Sequence, residues 1–159
     1  MEIGVIGGLG IVGSAVASGM KHIGHSVSIY DIADKSKIED VINTDICFVC
    51  VPSPSEEETG KCDSTIVESI INQLNILEYK GIICIKSTVE PGTTRKLSIK
   101  YEMENICFVP EFLRERCATE DFIKNHDLCV IGASDKHIYE KVASAHGNLP
   151  RHFSHVSFE

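Results

Sequence analysis

The amino-acid sequence predicts an α/β fold, a doubly wound parallel sheet of about six strands with helices on both faces. Short apolar runs alternate with helix-like segments along the whole chain. Several runs, such as Ile46-Cys47-Phe48-Val49-Cys50-Val51, are apolar at every position, as expected for strands covered on both sides. The strand candidates are 2–7, 26–31, 45–51, 81–87, 105–109 and 127–132. Helices are expected at 11–24, 35–43, 64–78, 92–103, 118–124 and 134–146, of which 35–43 is short and weakly patterned. Asp63 or Ser64 suits the cap of the third helix, and Ser134 or Asp135 that of the last. Right-handed crossovers and a strand order of 3-2-1-4-5-6 are expected for such a sheet. The domain should occupy 1–147, with 148–159 trailing from it as a tail without a period.

With 159 residues, 43% of them hydrophobic and 24% charged, the chain has the size and composition of one globular domain. Its net charge of −8 argues against nucleic acid or an anionic membrane as the main partner. The first 20 residues are apolar, yet they lack a basic start and contain six glycines, which fits neither a signal peptide nor a membrane span. The expected location is the cytoplasm. Seven cysteines without regular spacing suit small buried hydrophobes under reducing conditions. Cys47 and Cys50 form a nominal C-x-x-C, but an offset of three along a strand points the thiols to opposite faces. The seven histidines include no H-E-x-x-H pairing, and no metal site is expected.

Chemistry enters at Gly8-Leu9-Gly10-Ile11-Val12-Gly13, directly after the apolar run Ile3-Gly4-Val5-Ile6. A strand that breaks into G-x-G-x-x-G and then a helix is the phosphate cradle of Rossmann-type dinucleotide-binding folds. Gly8 is expected to permit the tight turn, Gly10 to let the backbone approach a pyrophosphate, and Gly13 to let the helix pack close. The helix then aims its free N–H groups and positive dipole end at the phosphates. Ser26-Val27-Ser28-Ile29-Tyr30-Asp31 reads as the next strand. Its terminal acid, about 20 residues on, suits a ribose 2′-OH and repels a 2′-phosphate, which favours NAD over NADP.

The loops after the strands, at 8–13, 31–34, 52–58, 87–94, 110–116 and 132–134, should line the ligand crevice. The loop Ser53-Pro54-Ser55-Glu56-Glu57-Glu58 carries a charge run that suits a solvated face. Lys86-Ser87-Thr88 closes the fourth strand with two hydroxyls suited to hold a water or a sugar hydroxyl. Glu111 and Glu115 follow the fifth. On one helical turn their i, i+4 spacing would put both carboxylates on one face. Such a pair is either a surface acid pair or a functional pair that supplies a base.

Taken together, Val5-Ile6-Gly7-Gly8-Leu9-Gly10-Ile11-Val12-Gly13, Val51-Pro52-Ser53-Pro54, Asp63-Ser64-Thr65-Ile66-Val67, Lys86-Ser87-Thr88-Val89-Glu90-Pro91-Gly92-Thr93-Thr94 and Pro110-Glu111-Phe112-Leu113-Arg114-Glu115 resemble the NAD-binding domain of the UDP-glucose/GDP-mannose 6-dehydrogenase family. That family oxidises the 6-hydroxyl of a nucleotide sugar to a carboxylate with NAD. The resemblance implies that Gly8, Gly10, Ile11, Val12 and Gly13 hold the pyrophosphate and Asp31 the adenosine ribose. It places Val51, Pro52 and Ser53 along the cofactor, and Ser87 and Thr88 near the nicotinamide. It also implies that Thr88 orients a catalytic water and that Glu111 is the acid/base residue. Phe112, Leu113 and Arg114 would contact the nucleotide sugar, and Glu115 would sit between cofactor and substrate.

The departures shape the functional expectation. Full enzymes of the family continue into a helical dimerisation segment and a second α/β domain bearing a cysteine nucleophile in a G-x-C-[FL]-P-K-D-like string. No cysteine of this sequence has that context. Arg116 stands where a glycine is usual, and Leu128 where the family tends to have arginine. The chain therefore reads as the cofactor half of a nucleotide-sugar dehydrogenase, inactive alone and completed by a second polypeptide or the remainder of a longer one. The alternatives are a non-catalytic NAD or nucleotide-sugar binding module, or a decayed remnant. Pairing into a homo-oligomer is compatible with either. A β-hydroxyacid type of dehydrogenase is disfavoured by the 86–94 and 110–115 strings.

Overall fold

Alternate residues of the apolar runs separate onto the two faces of one sheet. Ile3, Val5, Ile46, Phe48, Cys84 and Cys107 turn to one core, and Cys47, Val49, Ile83, Ile85 and Ile106 to the other. The computed structural model describes residues 1–157. Its strands are β1 (Glu2–Ile6), β2 (Ser26–Tyr30), β3 (Ile46–Val49), β4 (Ile82–Ile85), β5 (Ile106–Phe108), β6 (Leu128–Gly132) and β7 (His152–Val156). Its helices are α1 (Ile11–His22), α2 (Thr65–Ile76), α3 (Thr93–Lys100), α4 (Ala118–Lys124) and α5 (Lys136–His146). The first core is closed by α1, α4 and α5, and the second by α2 and α3. This double cover is why the strands are apolar throughout and why the expected α/β class holds.

The order expected for the sheet is corrected. It runs β2-β1-β3-β4-β5-β6-β7, with β3 parallel to β1 rather than outside β2. The cause lies in 35–43, which forms only a 3-10 turn, Ile38–Val41, instead of a helix. Val41 and Ile38 are buried against the sheet, and Gly4 leaves room for the turn: a Cβ there would lie 3.0 Å from Val41 Cβ and 2.8 Å from Thr44 Oγ1. The chain thus folds over β1 and enters β3 at its side. A second departure is that β5 and β6 pair antiparallel, through Phe108 and Gly132. A third is that 148–159 does not simply trail off, since β7 pairs with β6 in parallel from Leu128↔His152 to Gly132↔Val156. Phe158 and Glu159 lie outside the described residues.

Helix starts follow local chemistry. Asp135 caps α5, its carboxylate accepting the His137 amide at 2.5 Å, and Asp63 accepts the Thr65 amide at 2.9 Å at the start of α2. Cys47 and Cys50 do face opposite cores, and all seven cysteines are free thiols. With strand order 2-1-3, the connections diverge between β1 and β3, which opens a crevice at the carboxyl ends of those strands.

Candidate functional site

The glycine turn sits in that crevice. The positive φ belongs to Gly7 (+78°), not to Gly8, so the tight turn expected of Gly8 is made one residue earlier. Gly8 is small for another reason: a Cβ would stand 2.4 Å from Ile29 Cγ2 on β2. At Gly13 a Cβ would strike Gly7 O at 2.1 Å, so its absence lets α1 rest on the turn. A Cβ on Gly10 would come near Gly7 O alone, at 3.3 Å, and otherwise point into open space. Gly10 is the N-cap of α1, with no side-chain cap, and the first intrahelical bond runs from Ser14 N to Gly10 O at 2.9 Å. The amides of Ile11, Val12 and Gly13 precede it, so the positive end of the helix opens here.

Asp31 follows β2 and is 9% exposed. Its Oδ2 accepts the Leu9 amide at 2.9 Å and its Oδ1 the Ala33 amide at 2.9 Å. The carboxylate is thereby held to the glycine turn. A carboxylate has about four acceptor positions, so two remain for a ligand.

A cavity of about 700 Å³ runs along the strand tips. From Asp31 it passes Gly10, Ile11 and Val12 to Val51, Pro52 and Ser53, then to Ser87 and Thr88, and ends at Glu111 and Glu115. Gly8 and Gly13 shape its floor without lining it. Ser87 is buried, and its hydroxyl donates to Val51 O at 2.7 Å, tying the β4 tip to the β3 tip. Cys50, also in the wall, has its thiol pushed up to about 12, chiefly by burial, which disfavours the thiolate.

Glu111 and Glu115 face one cavity, although not by the single helical turn the spacing suggested. Residues 110–114 are irregular and Glu115 opens a 3-10 turn, Glu115–Cys117. The Glu111 carboxylate bends back to accept the Leu113 amide at 2.6 Å. Phe112, Leu113 and Arg114 line a second cavity of about 400 Å³ with Asp121, Asn125 and His126. Arg114 grips Asp121, with Nε to Oδ2 at 2.9 Å and Nη2 to Oδ1 at 2.6 Å, and its amide adds a third bond at 3.1 Å. The guanidinium holds the Asp121 carboxyl well below the usual carboxylate range.

The two cavities share Lys86 and Glu111. The sequence motifs do not include Lys86, Asp121, Asn125 or His126 among the candidate site residues. A lysine directly after the apolar run Ile82-Ile83-Cys84-Ile85 was the available signal.

Similarity to known proteins extends over most of the chain. The sequence profile of the UDP-glucose/GDP-mannose dehydrogenase family, NAD binding domain, matches residues 38–149. UDP-glucose 6-dehydrogenase of Rickettsia bellii is 36% identical over 104 residues, 62% of this chain and 23% of that protein. UDP-glucose 6-dehydrogenase AglM of Haloferax volcanii is 26% identical over 189 aligned positions, covering 90% of this chain and 43% of that one. The solved UDP-glucose dehydrogenase of Pyrobaculum islandicum superimposes with a TM-score of 0.85 at 27% identity, covering 98% of this chain and 46% of that chain. The chain thus spans less than half the length of these relatives. It belongs to the UDP-glucose/GDP-mannose dehydrogenase family, as its NAD-binding domain.

Proposed function

We propose that this chain supplies the cofactor-binding half of a nucleotide-sugar 6-dehydrogenase and is inactive without a cysteine-bearing partner segment. One observation carries the reading: a single cavity runs from the Asp31 carboxylate, past an uncapped helix start, to Glu111, where it meets a second cavity. The residues fit NAD. Gly10 is open where a pyrophosphate must approach, and the Asp31 carboxylate keeps free acceptors for ribose hydroxyls but would repel a 2′-phosphate.

In this reading Ile11 and Val12 offer backbone amides to the pyrophosphate. Gly8 and Gly13 let the turn close beneath it. Val51, Pro52, Ser53 and Ser87 line the remainder of the cofactor's path, with Glu115 at its end. Held by these residues, NAD would supply an acceptor for the hydride of the sugar carbon. Glu111 takes the hydroxyl proton, Thr88 orients a water, and Phe112, Leu113 and Arg114 contact the nucleotide sugar. The wall thiol of Cys50 is half-buried and pushed up by its surroundings, which disfavours it as the nucleophile, and this reading draws the cysteine of the covalent step from elsewhere. That cysteine would come from another polypeptide or from the remainder of a longer one. The free thiols suit a reducing cytoplasm. Among the described residues, no helix is long and apolar enough to cross a membrane.

Titration calorimetry with NAD and NADP, paired with an NADH absorbance assay on several nucleotide sugars, tests both halves. NAD binding with weaker NADP binding and no turnover is expected. Steady-state turnover by the chain alone would overturn the need for a second segment, and no NAD binding would overturn the cofactor assignment.

A further inference from the structure

Lys86 is a charged residue buried to 3% exposure. It follows the four buried residues of β4, so the strand carries its stem into the end of the sheet. Its ammonium donates to Val109 O at 3.2 Å and lies 5.9 Å from the centroid of the Phe122 ring. Among the described residues it forms no ion pair. An ammonium has three donors, and burying one without a carboxylate is costly, so a structural role alone accounts poorly for it. Groups from three separate segments of the chain lie within reach of this charge. After burial itself, Lys86 is the main influence lowering the His126 and His146 rings, and it opposes the effect of burial on Cys50.

Its position along the crevice is specific. The adenosine end belongs at Asp31 after β2, and the pyrophosphate at the turn after β1. The cofactor then crosses β3 and reaches the β4 tip, three strand spacings or about 14 Å from β2. Lys86, Ser87 and Thr88 lie there, where the cofactor reading puts the nicotinamide end. The ring is cationic in NAD+ and neutral in NADH. It loses its positive charge on accepting a hydride, which is two electrons and one proton from the substrate C–H bond. A fixed positive charge beside it favours the neutral form.

We propose that Lys86 sets the redox preference of the bound cofactor, its buried ammonium disfavouring NAD+ relative to NADH and so making bound NAD+ a stronger hydride acceptor. This rests on the cofactor reading above. Glu111 and Glu115, which face the same cavity, act in the opposite direction. Lys86 is a positioning residue for charge and need not touch the reacting atoms.

The test is the ratio of dissociation constants, Kd(NAD+)/Kd(NADH), for wild type and Lys86→Met, with ADP-ribose as a ligand that lacks the nicotinamide. In Lys86→Met the ratio should fall by about fivefold or more, the scale set by one unit charge several ångströms away at an intermediate dielectric, with ADP-ribose affinity unchanged. Glu111→Gln should raise the ratio. An unchanged ratio in Lys86→Met with ADP-ribose affinity retained overturns the proposal. Failure of wild type to bind ADP-ribose overturns the cofactor reading instead. Should Lys86→Met not fold, Lys86→Gln carries the same comparison.

Discussion

The Asp31 carboxylate accepts the amide of Leu9 at 2.9 Å, joining the end of β2 to the glycine turn after β1. The acid is thus part of the glycine turn as well as a candidate ribose ligand. Its other oxygen holds the Ala33 amide, so it also fixes the start of the following loop.

Replacing Asp31 by Ala leaves two amides without their acceptor and removes the proposed ribose contact. The expected outcome is a loss of about 1–3 kcal/mol in stability. NAD affinity should fall at least about tenfold, because hydrogen bonds to a charged acceptor are lost. NADP affinity should fall less, since the repulsion of a 2′-phosphate is relieved. Chemical denaturation and calorimetry with both cofactors measure this. Equal losses for the two would place the adenosine ribose elsewhere.

Gly10 and Gly13 should separate binding from folding. A methyl on Gly10 meets only Gly7 O at 3.3 Å, and its φ of −72° suits any residue. Gly10→Val should therefore fold and lose NAD binding. At Gly13 the added carbon would lie 2.1 Å from Gly7 O, so Gly13→Ala forces α1 off the turn and lowers the melting temperature. An NAD affinity unaltered by Gly10→Val removes the cradle assignment.

Stability should fall as pH drops below 6.5. Burial, followed by the Lys86 charge, lowers His146 to about 3 and His126 to about 4, from an ordinary value of 6.5. Between the folded and unfolded values the unfolded chain binds more protons, so stability rises with pH there and is complete above 6.5. For His146 the slope is on the order of 1 kcal/mol per pH unit. His146→Phe should flatten the profile between pH 4 and 6.5 in urea denaturation series. A profile as steep as wild type would locate the sensitivity in other groups.

Asp121 accepts three bonds from Arg114 and lies mostly buried at the start of the second cavity. Its folded pKa is depressed, so its contribution is present above the unfolded carboxylate value of 3.8 and is lost as pH falls below it. Asp121→Asn should lower the melting temperature at neutral pH and much less at acid pH. It should also loosen the segment Phe112, Leu113 and Arg114, visible as faster amide exchange there. Equal destabilisation at both pH values would mean that the charge is not what the Arg114 clamp needs.

The local chemistry was legible in the sequence because it is local. Apolar runs named the strands, and the glycine turn with Asp31 at its spacing located the crevice. The Pro110 to Glu115 string marked the acids at its end. Strand order was not legible, since it depends on whether 35–43 has enough helical pattern to carry the chain beyond β2, and a 3-10 turn buried over Gly4 does not. The seventh strand escaped notice because His152-Phe153-Ser154-His155-Val156 has little apolar pattern and gains its order from pairing with β6.

What the sequence determined by itself is therefore the inventory: which segments bury, where the chain turns, and which acid lies near which glycine. Only the tertiary structure decided that Gly7 rather than Gly8 makes the turn, that Glu111 and Glu115 share a cavity without sharing a helix, and that Lys86 is buried without an ion pair. Periodicity and turn chemistry act over a few residues and are written in order along the chain. Burial, charge pairing and the junction of two cavities arise between residues that the sheet brings together from distant positions.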